Sequence, residues 1–118
     1  MNTVVVVDDD KDLVDSMKEI LKFKGFDVVA TGHNGLDAVN LYRKHRPDCV
    51  IIDYQMPEYN GMYGLTEIRK ISMDIRVVIV SASVDSVLRS RLLDEGANRV
   101  LEKPFAINEL CEAITHHR

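Results

Sequence analysis

Apolar residues fall along the chain in two alternating patterns. Continuous, largely β-branched runs at Val4 to Val7, Cys49 to Ile52 and Val77 to Val80 read as strands buried on both faces. Phe26 to Ala30 and Arg99 to Leu101 are shorter strand-like runs. Between them the apolar positions recur at helical spacing. Leu13, Val14, Met17, Ile20 and Leu21 lie within Asp12 to Lys24, which Gly25 stops. Leu36, Val39 and Tyr42 lie within Leu36 to His45, ended by Pro47. A Pro-, Asn- and Gly-rich loop then precedes a helix over Leu65 to Ile71, and further helices are predicted over Val84 to Leu93 and Ala106 to His116. Five strand–helix pairs within one domain length imply a parallel sheet with helices on both faces. Right-handed crossovers make a doubly wound α/β fold the simplest arrangement, with Val4 to Val7 expected as its central strand.

Composition narrows the function classes. The 118 residues suit one domain over 1–118, and 46% apolar with 29% charged residues is ordinary for a globular chain. A formal net charge of −4 argues against direct nucleic-acid binding, which needs a basic stripe. The densest basic stretch, RKHR at 43–46, closes a helix pattern and complements a helix C-terminus. Cys49 and Cys111 are far apart and outside any CxxC spacing, so they suggest neither zinc nor a redox pair. Cys49 is expected to be a buried strand thiol and Cys111 half-buried. With no signal peptide and no apolar run of membrane-spanning length, a cytoplasmic location without membrane insertion is expected.

In an open parallel sheet, ligands gather outside the carboxyl ends of the strands. The residues that follow each predicted strand there are Asp8, Asp9 and Asp10 after the first, Asp53 after the third, Ser81 after the fourth and Lys103 after the fifth. Asp8, Asp9 and Asp53 together would concentrate charge untenably without a counter-ion. Oxygen-only ligands favour Mg²⁺, with Mn²⁺ a possible substitute. Lys103 and Ser81 could serve a phosphoryl group's remaining oxygens, and a carboxylate can itself be the nucleophile, giving an aspartyl phosphate. Taken singly, Ser81 is an ordinary turn residue and Lys103 a surface charge; the complementary set is what carries weight.

The motifs VVVVDD, IIDYQMPEYNG, VSA and EKPF, in this order and spaced as in RPDCVIID and DEGANRVLEKPF, resemble the response-regulator receiver domain of two-component signalling over the whole chain. The resemblance implies a flavodoxin-like (βα)5 fold and a cytoplasmic phosphorelay protein, either stand-alone or cut from a longer regulator. It implies that Asp53 accepts a phosphoryl group from a sensor histidine kinase or histidine phosphotransfer protein. Asp9 would bind Mg²⁺ directly, Asp8 would act through water or nearby as part of the metal site, and the backbone carbonyl of Gln55 would be a further ligand beside Asp53. Ser81 and Lys103 would be the switch pair, and Lys103-Pro104 a cis peptide. Such a domain catalyses its own phosphorylation and dephosphorylation rather than turning over an external substrate. It is a monomer or a phosphorylation-dependent dimer, with a downstream partner expected on the 84–117 face.

Asp10 takes no part in that site and is better described as a helix N-cap or first-turn acid. Gln55 and Ser83 match positions that influence the lifetime of the aspartyl phosphate. Val100 departs from the family pattern, standing where many receivers carry the Tyr or Phe whose rotamer couples to Ser/Thr. An alternative is a small Mg²⁺-dependent phosphohydrolase of the haloacid-dehalogenase type, whose Asp-x-Asp would be Asp8 and Asp10. That class also uses a late acidic pair, and this chain offers Ser81 and Lys103 there.

Overall fold

Five parallel strands lie in the order β2-β1-β3-β4-β5. A computed structural model describes residues 2–115. The elements alternate along the chain: β1 (Thr3–Val7), α1 (Lys11–Phe23), β2 (Asp27–Gly32), α2 (Gly35–His45), β3 (Cys49–Asp53), α3 (Gly61–Ile71), β4 (Arg76–Ser81), α4 (Ser86–Asp94), β5 (Arg99–Glu102) and α5 (Ile107–Thr115). The doubly wound α/β fold expected from the pattern is thus present. The centre of the sheet is β3 rather than β1, although β1 is interior, paired to β2 on one side and β3 on the other. Strand composition reports burial on both faces, which every interior strand shares, and so does not fix strand order.

Alternate residues of the strands feed two cores. Val5, Val7, Val50, Ile52, Val77, Ile79 and Val100 pack with side chains of α2, α3 and α4. Val4, Val6, Cys49, Ile51, Val78, Val80 and Leu101 pack with those of α1 and α5. Each buried aliphatic side chain contributes roughly 2 kcal/mol. The Cys49 thiol is fully buried, and burial pushes its pKa up to about 12, so it packs as an inert apolar group. Cys111 is half-buried.

Four helices start on Asx caps, which satisfy amides that a helix leaves unpaired. Asp10 accepts from the Leu13 N–H at 3.2 Å, Asn34 from Asp37 at 2.9 Å, Asn60 from Tyr63 at 3.0 Å and Asp85 from Leu88 at 2.7 Å. These caps correct two boundaries. α3 begins at Gly61, four residues before the expected Leu65, and α4 at Ser86 rather than Val84. His116, the expected end of α5, lies outside the described residues. Arg43, Lys44 and His45 occupy the last turn of α2, as the RKHR stretch suggested. Among the described residues no helix is long and apolar enough to cross a membrane.

Candidate functional site

The carboxyl ends of β1, β3, β4 and β5 bring Asp8, Asp53, Ser81 and Lys103 together at one rim. Asp53 is the last residue of β3 and only 6% exposed; Asp8, directly after β1, is 3% exposed. The Asp8 N–H donates to the Gly32 carbonyl at 3.1 Å, which continues the β1–β2 ladder one residue beyond the strand. Its Oδ1 accepts from the Asp10 N–H at 3.0 Å. Asp9 is exposed, yet one carboxylate oxygen from each of Asp8, Asp9 and Asp53 lies within 4.8 Å of the others. Three hard oxygen donors at that separation fit a divalent cation such as Mg²⁺.

Lys103 bridges the cluster. Its Nζ lies 3.0 Å from Asp53 Oδ1 and 3.1 Å from Asp8 Oδ2. The lysine expected to meet a phosphoryl oxygen therefore holds two of the carboxylates that would surround that group. Burial pushes the Asp53 carboxyl above its ordinary range; the Lys103 hydrogen bond opposes this, and the charges of Asp8 and Asp9 add to it. Burial alone would lower the Lys103 ammonium, but its pairing with Asp53 and Asp8 outweighs that and raises it. Burial thus sets the direction for Asp53, and the two paired carboxylates set it for Lys103.

Ser81 closes β4, is fully buried, and donates its hydroxyl to the Ser83 carbonyl at 3.1 Å, so it faces the β4–α4 loop. The Lys103 N–H donates to the Ser81 carbonyl at 2.8 Å, which ties the two strand ends together. The Lys103-Pro104 peptide is cis. Gln55 is exposed, two residues past Asp53, in the loop of residues 54–60. Val100 is buried among side chains of α4 and its flanks, and its carbonyl accepts from the Arg89 guanidinium at 2.7 Å.

Sequence reasoning missed the residues that shape the loop after Asp53. Asn60-Gly61 signalled a turn, but it is a cap and a helix start. A Cβ at Gly61 would lie 2.7 Å from the Asp53 carbonyl oxygen, so glycine lets α3 begin directly under the strand end. The only advance signal was an Asn at N-cap spacing before a helical pattern.

The geometry lends no support to the Asp8/Asp10 alternative. Asp10 is exposed and engaged as the α1 cap, while Asp53 takes the place beside Asp8. Comparisons agree. The family model described as response regulator receiver domain matches residues 4–115. The chain is 36% identical over 111 residues to the chemotaxis protein CheY of Bacillus subtilis, covering 94% of this chain and 92% of that one. It is 34% identical to the probable C4-dicarboxylate response regulator DctR of the same organism over 98% of this chain, but spans only 51% of that longer protein. A crystal structure of the CheX-CheY-BeF3-Mg²⁺ complex from Borrelia burgdorferi superposes with a TM-score of 0.90 at 28% identity, over 96% of this chain and 86% of that one.

Proposed function

The chain belongs to the response regulator receiver domain family, and from that membership we propose that it is a phosphorylation switch with Asp53 as its acceptor. The observation that carries the reading is a buried strand-end carboxylate placed against two further carboxylates and one ammonium. An Asp53 oxygen attacks the phosphorus of a phosphohistidine as the bond from phosphorus to the leaving nitrogen breaks. The product is an acyl phosphate. Attack of water on that phosphorus returns the carboxylate and inorganic phosphate. A divalent cation on Asp8, Asp9, Asp53 and the Gln55 carbonyl would neutralise the charge of the incoming group. Lys103 keeps the Asp53 oxygen oriented and is placed to move onto a phosphoryl oxygen. Ser81 needs only to leave the Ser83 carbonyl to do likewise, and α4 begins three residues beyond Ser83. With Val100 a buried aliphatic residue, the change runs through that loop and α4 rather than through an aromatic rotamer.

Downstream partners dock on the face of α4, β5 and α5, where Val87 is 66% and Leu93 44% exposed. Residues 116 and 117 of the expected face lie outside the described residues. A sensor kinase or phosphotransfer protein supplies the phosphoryl group.

The test is incubation with Mg²⁺ and acetyl phosphate followed by intact-mass measurement. One phosphoryl adduct is expected, absent from Asp53→Asn and strongly reduced in a chelator. An adduct that persists in Asp53→Asn but vanishes in Asp8→Asn would overturn the assignment.

A further inference from the structure

The first residue of α2 reaches into the phosphoacceptor loop. The Gly35 N–H, one of the amides a helix cannot pair internally, donates to the Tyr59 carbonyl at 2.7 Å. The approach is close enough that a Cβ at position 35 would lie 2.3 Å from the Asn60 carbonyl oxygen and 3.0 Å from the Gly64 nitrogen. Both are backbone atoms, so no change of rotamer relieves the contact.

The loop needs such a hold. Glu58 has φ of 65°, and the Tyr59 N–H returns to the Pro57 carbonyl at 2.7 Å. A three-residue turn with positive φ at its centre is the rare, strained form of the γ-turn. The ends of the loop are pinned: the Tyr54 N–H donates to Val80 in the sheet at 2.8 Å, and the Gly61 N–H donates to the Tyr54 carbonyl at 2.8 Å. Among the described residues, the bond from Gly35 is the one hydrogen bond that another element gives to residues 55–59.

We propose that Gly35 is a positioning residue for the phosphoacceptor loop. The start of α2 holds the Pro57–Tyr59 turn, and through it the Gln55 carbonyl, in the shape that lets the carboxylate cluster take a divalent cation and Asp53 take a phosphoryl group. The inference rests on the function proposed above, and it gives the site a supporting element outside its own strand ends.

Gly35→Ala and Gly64→Ala separate this role from packing. A Cβ at Gly64 would meet Ile52 Cδ1 at 3.2 Å, Ala38 Cβ at 3.3 Å and Gly35 Cα at 3.4 Å, milder contacts in the same packing and none of them with residues 54–60. For each variant, urea stability, Mg²⁺ affinity by calorimetry, the rate of adduct formation with acetyl phosphate, and metal-free hydrogen exchange over residues 54–60 are measured. Gly35→Ala should weaken Mg²⁺ binding and slow phosphorylation on the order of tenfold and speed exchange in the loop, while Gly64→Ala keeps affinity and rate within about twofold. Wild-type affinity and rate in Gly35→Ala would overturn the proposal. So would losses in Gly64→Ala that track stability as closely as those of Gly35→Ala. If Gly35→Ala does not fold, a semisynthetic chain with glycolic acid at position 35 removes the donor without adding a Cβ, though it also weakens the Asn34 carbonyl that accepts from the Ala38 N–H; it should shift the same readouts in the same direction, and unchanged values refute the role. A wild-type chain that takes no phosphoryl group would instead refute the proposed function, leaving Mg²⁺ affinity and exchange to decide for Gly35.

Discussion

The surroundings of Asp53 favour its neutral form more than water does. Burial raises its pKa, and the Lys103 hydrogen bond does not fully offset that. A carboxyl whose folded pKa is raised binds its proton more tightly in the native state, so stability falls as pH rises from the ordinary carboxylate value through the raised one. Asp53→Asn should therefore stabilise the metal-free protein at neutral pH by on the order of 1 kcal/mol. The gain should shrink as pH drops toward the ordinary carboxylate range, where the wild-type side chain becomes neutral like that of the variant. Thermal melts of both proteins in chelator across that range check the sign, and an Asn variant less stable than wild type at neutral pH contradicts it. Lys103 follows the same sign in a higher pH range: its raised pKa gives stability that is present below the ordinary lysine range and lost as pH climbs through the higher value. The variant keeps that ammonium paired, because Asp8 remains 3.1 Å away.

One side chain joins three elements at the end of β4 remote from the site. From the end of α3, Arg69 Nη1 donates to the Ser72 and Ile75 carbonyls at 3.2 and 2.6 Å. Its Nε and Nη2 donate to the Gly96 carbonyl at 3.0 and 2.8 Å, and Nη2 also to Asn98 Oδ1 at 2.9 Å. Asn98 Oδ1 in turn accepts from the Val77 N–H at 2.8 Å, so the end of α4, the start of β4 and the end of α3 share one guanidinium. Arg69→Met keeps the aliphatic stem and should cost about 3 kcal/mol, seen as a lower urea midpoint at unchanged m. A cost below about 1 kcal/mol would mean that water takes over those carbonyls. In the sequence Arg69 is only a basic residue near a helix end, because its acceptors are scattered over residues 72–98 and meet it only after folding. Elements were legible where burial imposes a period: the five strands and the bodies of the helices stood in the hydrophobic pattern. The start of α3 was not, since Gly61 and Gly64 are poor helix formers that serve close packing. Likewise the strand ends disclosed Asp8, Asp53, Ser81 and Lys103, but not that Lys103 would hold Asp8 and Asp53 itself.

Across the whole molecule, stability and the acidic rim are linked, because a two-state domain feels ligand binding at any one place as global stabilisation. The end of the sheet opposite the site is closed by neutral and charged hydrogen bonds, among them the Thr3 N–H to Asp48 Oδ2 at 2.9 Å. At the rim, Lys103 supplies one positive charge against three carboxylates, which leaves an attraction for a divalent ion that the net charge of −4 reinforces. Mg²⁺ at about 100 times its dissociation constant should stabilise the native state by about 2.7 kcal/mol. For a domain of this size that raises Tm by roughly 10 °C. Asp9 separates metal binding from packing: it is exposed, outside both cores, and without a lysine partner at the rim. Asp9→Asn should accordingly leave the metal-free Tm nearly unchanged, since substitutions at such positions stay within about 0.5 kcal/mol, and remove most of the Mg²⁺-dependent rise. Scanning calorimetry with Mg²⁺, with chelator, and with monovalent salt at matched ionic strength distinguishes site binding from screening. A variant that still gains the full Mg²⁺ shift, or a wild type that gains as much from monovalent salt, would place the cation elsewhere than on these carboxylates.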